Sequence, residues 1–167
     1  MSQKKFQESI EQGAHQKLVQ LEGNWEGITK VWFEKDQLAD ESPVEATMRP
    51  VLDGRFILHE YRGSLGGKPL TGIAMYGYSL NEGRFQSAWV DSFHNGTTIM
   101  FSDAKSDGRQ FSVVGSYSTP GNSERWGWKT EIDMPDSDTV IITAYNITPQ
   151  GEETKAVETV YHRKYNL

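Results

Sequence analysis

Two side chains in this sequence are of types suited to proton exchange and hydrogen bonding, and both sit inside alternating apolar stretches. His59 stands in "FILHEYRG" and Asp91 in "RFQSAWVDS". An imidazole titrates near neutral pH and can accept, donate or ligate. A carboxylate held among aromatic rings has its pKa raised and can act as an acid or a base. Alternation in an extended segment sends residues i and i+2 to one face. His59 therefore shares a face with Tyr61, and Asp91 shares one with Trp89. Trp128 lies on the apolar side of "ERWGWKTEID". His59, Tyr61, Trp89, Asp91 and Trp128 form the candidate ligand-binding set, with rings to cover apolar surface and polar groups to orient a ligand.

The remaining residues offer less chemistry. No Ser-His-Asp spacing, phosphate-cradling glycine loop or His-Glu zinc motif is present. Asp133, Asp136 and Asp138 lack the full calcium-loop pattern and read as a solvated turn. With no cysteine there is no thiolate zinc site, no disulfide and no cysteine nucleophile. His94, in "FHNG", reads as a solvated turn residue, and His15 as a structural contact. His162, in "VYHRK", could hold a haem iron, but a lone histidine is not a haem motif. Neither a metal nor a cofactor is expected.

These residues need elements to position them. Phe6, Ile10, Ala14, Leu18 and Leu21 recur at helical spacing. Gly13 weakens the middle of that stripe, so two short helices can take the place of one. From Trp25 onward the pattern alternates, broken by turn residues such as "DGR", "GG", "NEG", "SDG" and "PGN". About ten strands follow, joined by links short enough for hairpins. Thr29, Val31 and Phe33 are expected to face inward from the first, then Val44, Ala46 and Met48. Ten hairpin-linked strands would leave two bare edges unless the sheet closes. The expected fold is all-β: an up-and-down antiparallel barrel of about ten strands over 23–165. The helical segment 6–21 plugs one end, within a single domain over 1–167.

Gly23-x-Trp25 at the start of the first strand resembles the signature of calycin barrels, the lipocalins and fatty-acid-binding proteins. More specifically, the chain resembles the bacterial domain-of-unknown-function family numbered fifteen seventy-nine. The resemblance rests on His15, Leu18, Leu21, Gly23 and Trp25, on "LDGRFI", "GYSLNEGRF" and "WVDS", and on the closing "VYHRK". It implies a lipocalin-like barrel and carries no established activity.

The formal charge of −6, from 23 acidic and 17 basic residues, would repel a phosphate backbone. No basic cluster offsets it, so nucleic acid is not an expected partner. No apolar run approaches the roughly 20 residues of a spanning helix and no signal peptide is evident, so the expected location is cytoplasmic. Three readings stay open. The barrel binds a small, largely apolar molecule; or it is a small isomerase or hydrolase using His59 and Asp91; or it is a non-catalytic module acting through its surface as a homodimer, hinted at by an outward Trp32.

Overall fold

The computed structural model describes residues 2–165. Two helices, α1 (Gln3–Gln12) and α2 (Ala14–Val19), precede ten strands. These are β1 (Gly23–Glu34), β2 (Gln37–Val51), β3 (Phe56–Leu65), β4 (Lys68–Ser79), β5 (Arg84–Asp91), β6 (Met100–Lys105), β7 (Phe111–Ser118), β8 (Arg125–Asp136), β9 (Thr139–Ile147) and β10 (Glu153–Arg163). Each strand pairs antiparallel with its neighbours in sequence, and β1 pairs with β10, so the sheet closes into a barrel. The turn between β3 and β4 shows why hairpins follow from this sequence. Gly66 and Gly67 both have positive φ, 56° and 78°, as a two-residue turn matched to strand twist requires.

The helices close one end. They break at Gly13, where an added Cβ would lie 2.9 Å from the Ser9 Cα. His15 sits buried in the joint: its Nδ1 lies 2.8 Å from Ser9 Oγ, and its ring meets Phe6 and Tyr78 edge-on. The Trp25 indole donates to the Leu21 carbonyl at 2.9 Å, and the Arg163 guanidinium covers its ring at 4.3 Å. A Cβ at Gly23 would fall 2.4 Å from Arg163 Nη1, so glycine there lets the guanidinium pass from β10 across the barrel end. Leu18, Leu21, Trp25, Met48, Ile57, Phe85, Phe111 and Val140 fill this half of the barrel as one core.

One expectation needs correction. Phe33 is not inside; it is 64% exposed. The pairing of β1 with β2 shifts register at Val31/Trp32 and again at Trp32/Glu34, and such a slip exchanges the faces of the residues beyond it. Strand β6 begins at Met100, which leaves residues 92–99 as a longer connection at the end opposite the helices. Trp32 is half-buried, with the Lys155 amine 5.6 Å from its ring centroid.

Candidate functional site

The half of the barrel away from the helices is not filled. A cavity of about 100 Å³ remains there, lined by Val31, Val44, Leu70, Ala74, Ile142, Ala144 and Val157 among aliphatic residues, and by Tyr61, Tyr76, Trp89, Trp128 and Tyr161 among aromatic ones. Ser87, Ser102, Thr130 and the hydrogen-bonded pair Thr29–Thr159 add hydroxyls. Among the described residues, no Lys, Arg, Asp or Glu lines it. The space exists because β4 presents small residues inward: Gly72 and Ala74 stand between Leu70 and Tyr76. A Cβ at Gly72 would lie 2.1 Å from the Tyr61 ring, so the glycine is what lets that ring lie flat against β4.

His59 forms the floor, where the empty half meets the packed half. It is 3% exposed. Its Nδ1 lies 2.8 Å from Tyr76 Oη and its Nε2 3.1 Å from Tyr161 Oη. Burial lowers its pKa to about 3, so the imidazole is neutral at physiological pH. Burial also raises the pKa of all three floor tyrosines, Tyr61, Tyr76 and Tyr161, and they keep their protons. The Trp89 indole donates to Tyr61 Oη at 2.8 Å and stacks on Trp128 at 5.5 Å, 19° between planes.

The mouth is built by the 92–99 connection. Asp91, the last residue of β5, accepts the backbone N–H groups of Phe93 and Asn95 on Oδ1, at 3.1 and 3.0 Å. Its Oδ2 holds His94 Nδ1 at 2.5 Å. Burial of the carboxyl would raise its pKa; the bond and charge of His94 and the two backbone donors outweigh that, and the pKa is lowered. The bond to Asp91 occupies Nδ1 and leaves Nε2 as the ring nitrogen without a partner among the described residues. The His94 ring lines the chamber at 5.5 Å from Trp89 and 5.8 Å from Trp128. Its side chain is one-fifth exposed.

Of the candidate set, the structure brings His59, Tyr61, Trp89 and Trp128 to one chamber. Asp91 does not line it; its side chain is wholly enclosed and turned onto the 92–99 connection. The enzyme reading requires His59 and Asp91 to converge on one substrate; here tyrosine hydroxyls occupy both ring nitrogens of His59, and Asp91 faces the backbone of the 92–99 connection. The group Asp91 meets is His94, expected to be solvated and found in the chamber wall. The connection is eight residues long and folds inward under the two backbone bonds to Asp91. The available signal was Asp-x-x-His at a strand end, a carboxylate three residues before an imidazole. His162 is exposed on the outer face of β10 and offers nothing to the interior. Among the described residues no cluster of three or more metal-ligating side chains occurs.

The family model described as "Protein of unknown function (DUF1579)" matches residues 11–163. The chain belongs to the DUF1579 family. Among curated proteins nothing matches in sequence. Among solved structures, the chain is similar to Rv2717c from M. tuberculosis, at 16% identity and a TM-score of 0.60, with 91% of this chain and 98% of that one covered. It is also similar to the S-type phycobiliprotein lyase CPES from Guillardia theta, at 13% identity and a TM-score of 0.57, covering 96% and 98%. At these identities the likeness is one of fold. Among the described residues of this DUF1579 chain no helix is long and apolar enough to cross a membrane.

Proposed function

We propose that this DUF1579 protein binds a small, largely apolar, uncharged molecule in the distal chamber. The observation that carries this reading is the uneven filling of the barrel. One half is packed with Trp25, Met48, Ile57, Phe85 and Phe111, while the other is left hollow behind stacked tryptophans. An empty apolar cavity costs about 24 cal/mol per Å³, and a ligand offsets that cost. The volume, about 100 Å³, is smaller than the cavity of about 150 Å³ that holds benzene, which limits the ligand to no more than about one small ring. The lack of charged lining argues against a charged ligand, whose burial would go uncompensated. Native mass spectrometry of gently purified protein tests this. A reproducible extra mass that leaves on unfolding supports it, and bare mass together with no binding of one-ring aromatic compounds to Trp89 and Trp128, followed by fluorescence, removes it.

A second reading, pairing with another copy through the outer surface, draws on a different observation. Met75, Ala88 and Phe101 lie side by side across β4, β5 and β6, with Met75 40% and Phe101 71% exposed. Sedimentation of the wild type and of Phe101→Lys tests it: a dimer that the substitution dissolves supports the surface, and a monomer at all concentrations removes it.

A further inference from the structure

The hydroxyl protons on the chamber floor can be counted. A neutral imidazole has one N–H and one bare nitrogen, and both nitrogens of His59 are engaged, by Tyr76 at 2.8 Å and Tyr161 at 3.1 Å. One tyrosine therefore donates to the bare nitrogen. The other receives the imidazole N–H and keeps its own proton free. Tyr61 supplies a second free proton. Its oxygen already accepts the Trp89 indole N–H, and among the described residues its own O–H makes no hydrogen bond. The three rings surround His59, with centroids 5.0, 5.8 and 5.7 Å from it for Tyr61, Tyr76 and Tyr161. A buried donor without an acceptor is unfavourable, so the floor carries a surplus of donors for whatever enters.

We infer that the ligand carries an accepting oxygen of the carbonyl class, seated among Tyr61, Tyr76 and Tyr161, where it takes the protons these hydroxyls leave over. The inference rests on the reading of the chamber as a binding site. A carboxylate would also accept, but no cation lines the chamber to balance it. A neutral ketone, aldehyde, ester or amide oxygen fits both the donors and the absence of charge. Its apolar remainder extends toward Trp89 and Trp128.

Cyclopentanone and methylenecyclopentane test this, because they share a shape and differ only in having =O or =CH2. Water holds the ketone more strongly, so a merely apolar cavity prefers the hydrocarbon. The expected result is that cyclopentanone binds at least as tightly as methylenecyclopentane, with its carbonyl stretch moved to lower wavenumber than in an apolar solvent. Tyr61→Phe is expected to shift the affinity ratio toward the hydrocarbon about tenfold, the size of one hydrogen bond. The infrared reading on the wild type does not depend on how the variant folds. Preferential binding of the hydrocarbon, with an unshifted carbonyl stretch, overturns the inference and leaves the binding reading standing. Binding of neither compound overturns both.

Discussion

Asp91 holds His94 across 2.5 Å where the 92–99 connection reaches into the barrel. The carboxylate organises that loop from its base, through two backbone N–H groups and one imidazole. Its pKa is lowered, so this contribution to stability is present above the ordinary carboxylate value and is lost as pH falls through the depressed one.

Asp91→Asn keeps the shape and removes the charge. The loop amides of 92–99 are expected to exchange faster with solvent at neutral pH, with a loss of about 1–3 kcal/mol in global stability. Acidifying the wild type below pH 3.8 should produce the same local opening, and the variant should lack that step. Unchanged exchange in the loop would show that Asp91 does not organise it.

His59 gives stability a second dependence on pH. Its pKa is lowered from 6.5 to about 3 by burial, so it stays neutral when folded while the unfolded chain takes up a proton below 6.5. Stability is fully present above pH 6.5 and declines toward pH 3, by up to about 1.4 kcal/mol per pH unit from this group. Buried His15 is shifted the same way and adds its own share. Urea unfolding of wild type and His59→Phe between pH 7 and pH 4 separates the two. The variant starts lower, because Tyr76 and Tyr161 lose a partner, and its slope is shallower. Parallel slopes would contradict a buried neutral His59.

Gly72→Ala places a methyl group where the Tyr61 ring lies. The ring must move, which breaks the Trp89–Tyr61 hydrogen bond and costs about 1–3 kcal/mol by overpacking. In a Tyr61→Ala background the same glycine substitution is expected to cost much less. Additive effects in that double-mutant cycle would mean that the glycine serves its strand and not the ring.

Phe33 and Phe93 approach to 6.3 Å between ring centroids, linking the end of β1 to the 92–99 connection at the mouth. Shortening both to alanine is expected to speed the exchange of a bound one-ring ligand several-fold while changing its affinity little. Stopped-flow release followed by tryptophan fluorescence measures this, and an unchanged off-rate would show that the pair does not gate the chamber.

The barrel was legible because its code is local. Alternation along "PVEATM" and paired glycines at 66 and 67 declare strand and turn within a few residues, and hydrogen-bonded closure follows from the need to cover edges. Four chamber residues were legible for the same reason, since parity alone turns His59, Tyr61, Trp89 and Trp128 inward. His94 was not, because an irregular loop has no period and its direction is decided by Asp91 in three dimensions. Phe33 was misplaced by a register shift that only the pairing with β2 reveals. The hollowness of the chamber could not be read either, since it depends on how Gly72 and Ala74 on one strand face large residues carried by others.

The β1–β10 ladder that closes the barrel also sets an order of events during synthesis. Trp25 pairs with Arg163 and Val31 with Val157, so one edge of β1 waits for a strand made more than 120 residues later. At about 5–20 residues per second, that wait is roughly 6 to 30 s. Throughout it, a nascent sheet offers an open edge to any neighbouring chain. The residues along that edge moderate the hazard: Glu26 and Lys30 put charge on its outer face. Gly27 admits the Val160 carbonyl so closely that an added Cβ would sit 1.9 Å from it, which makes the edge selective for the partner it awaits.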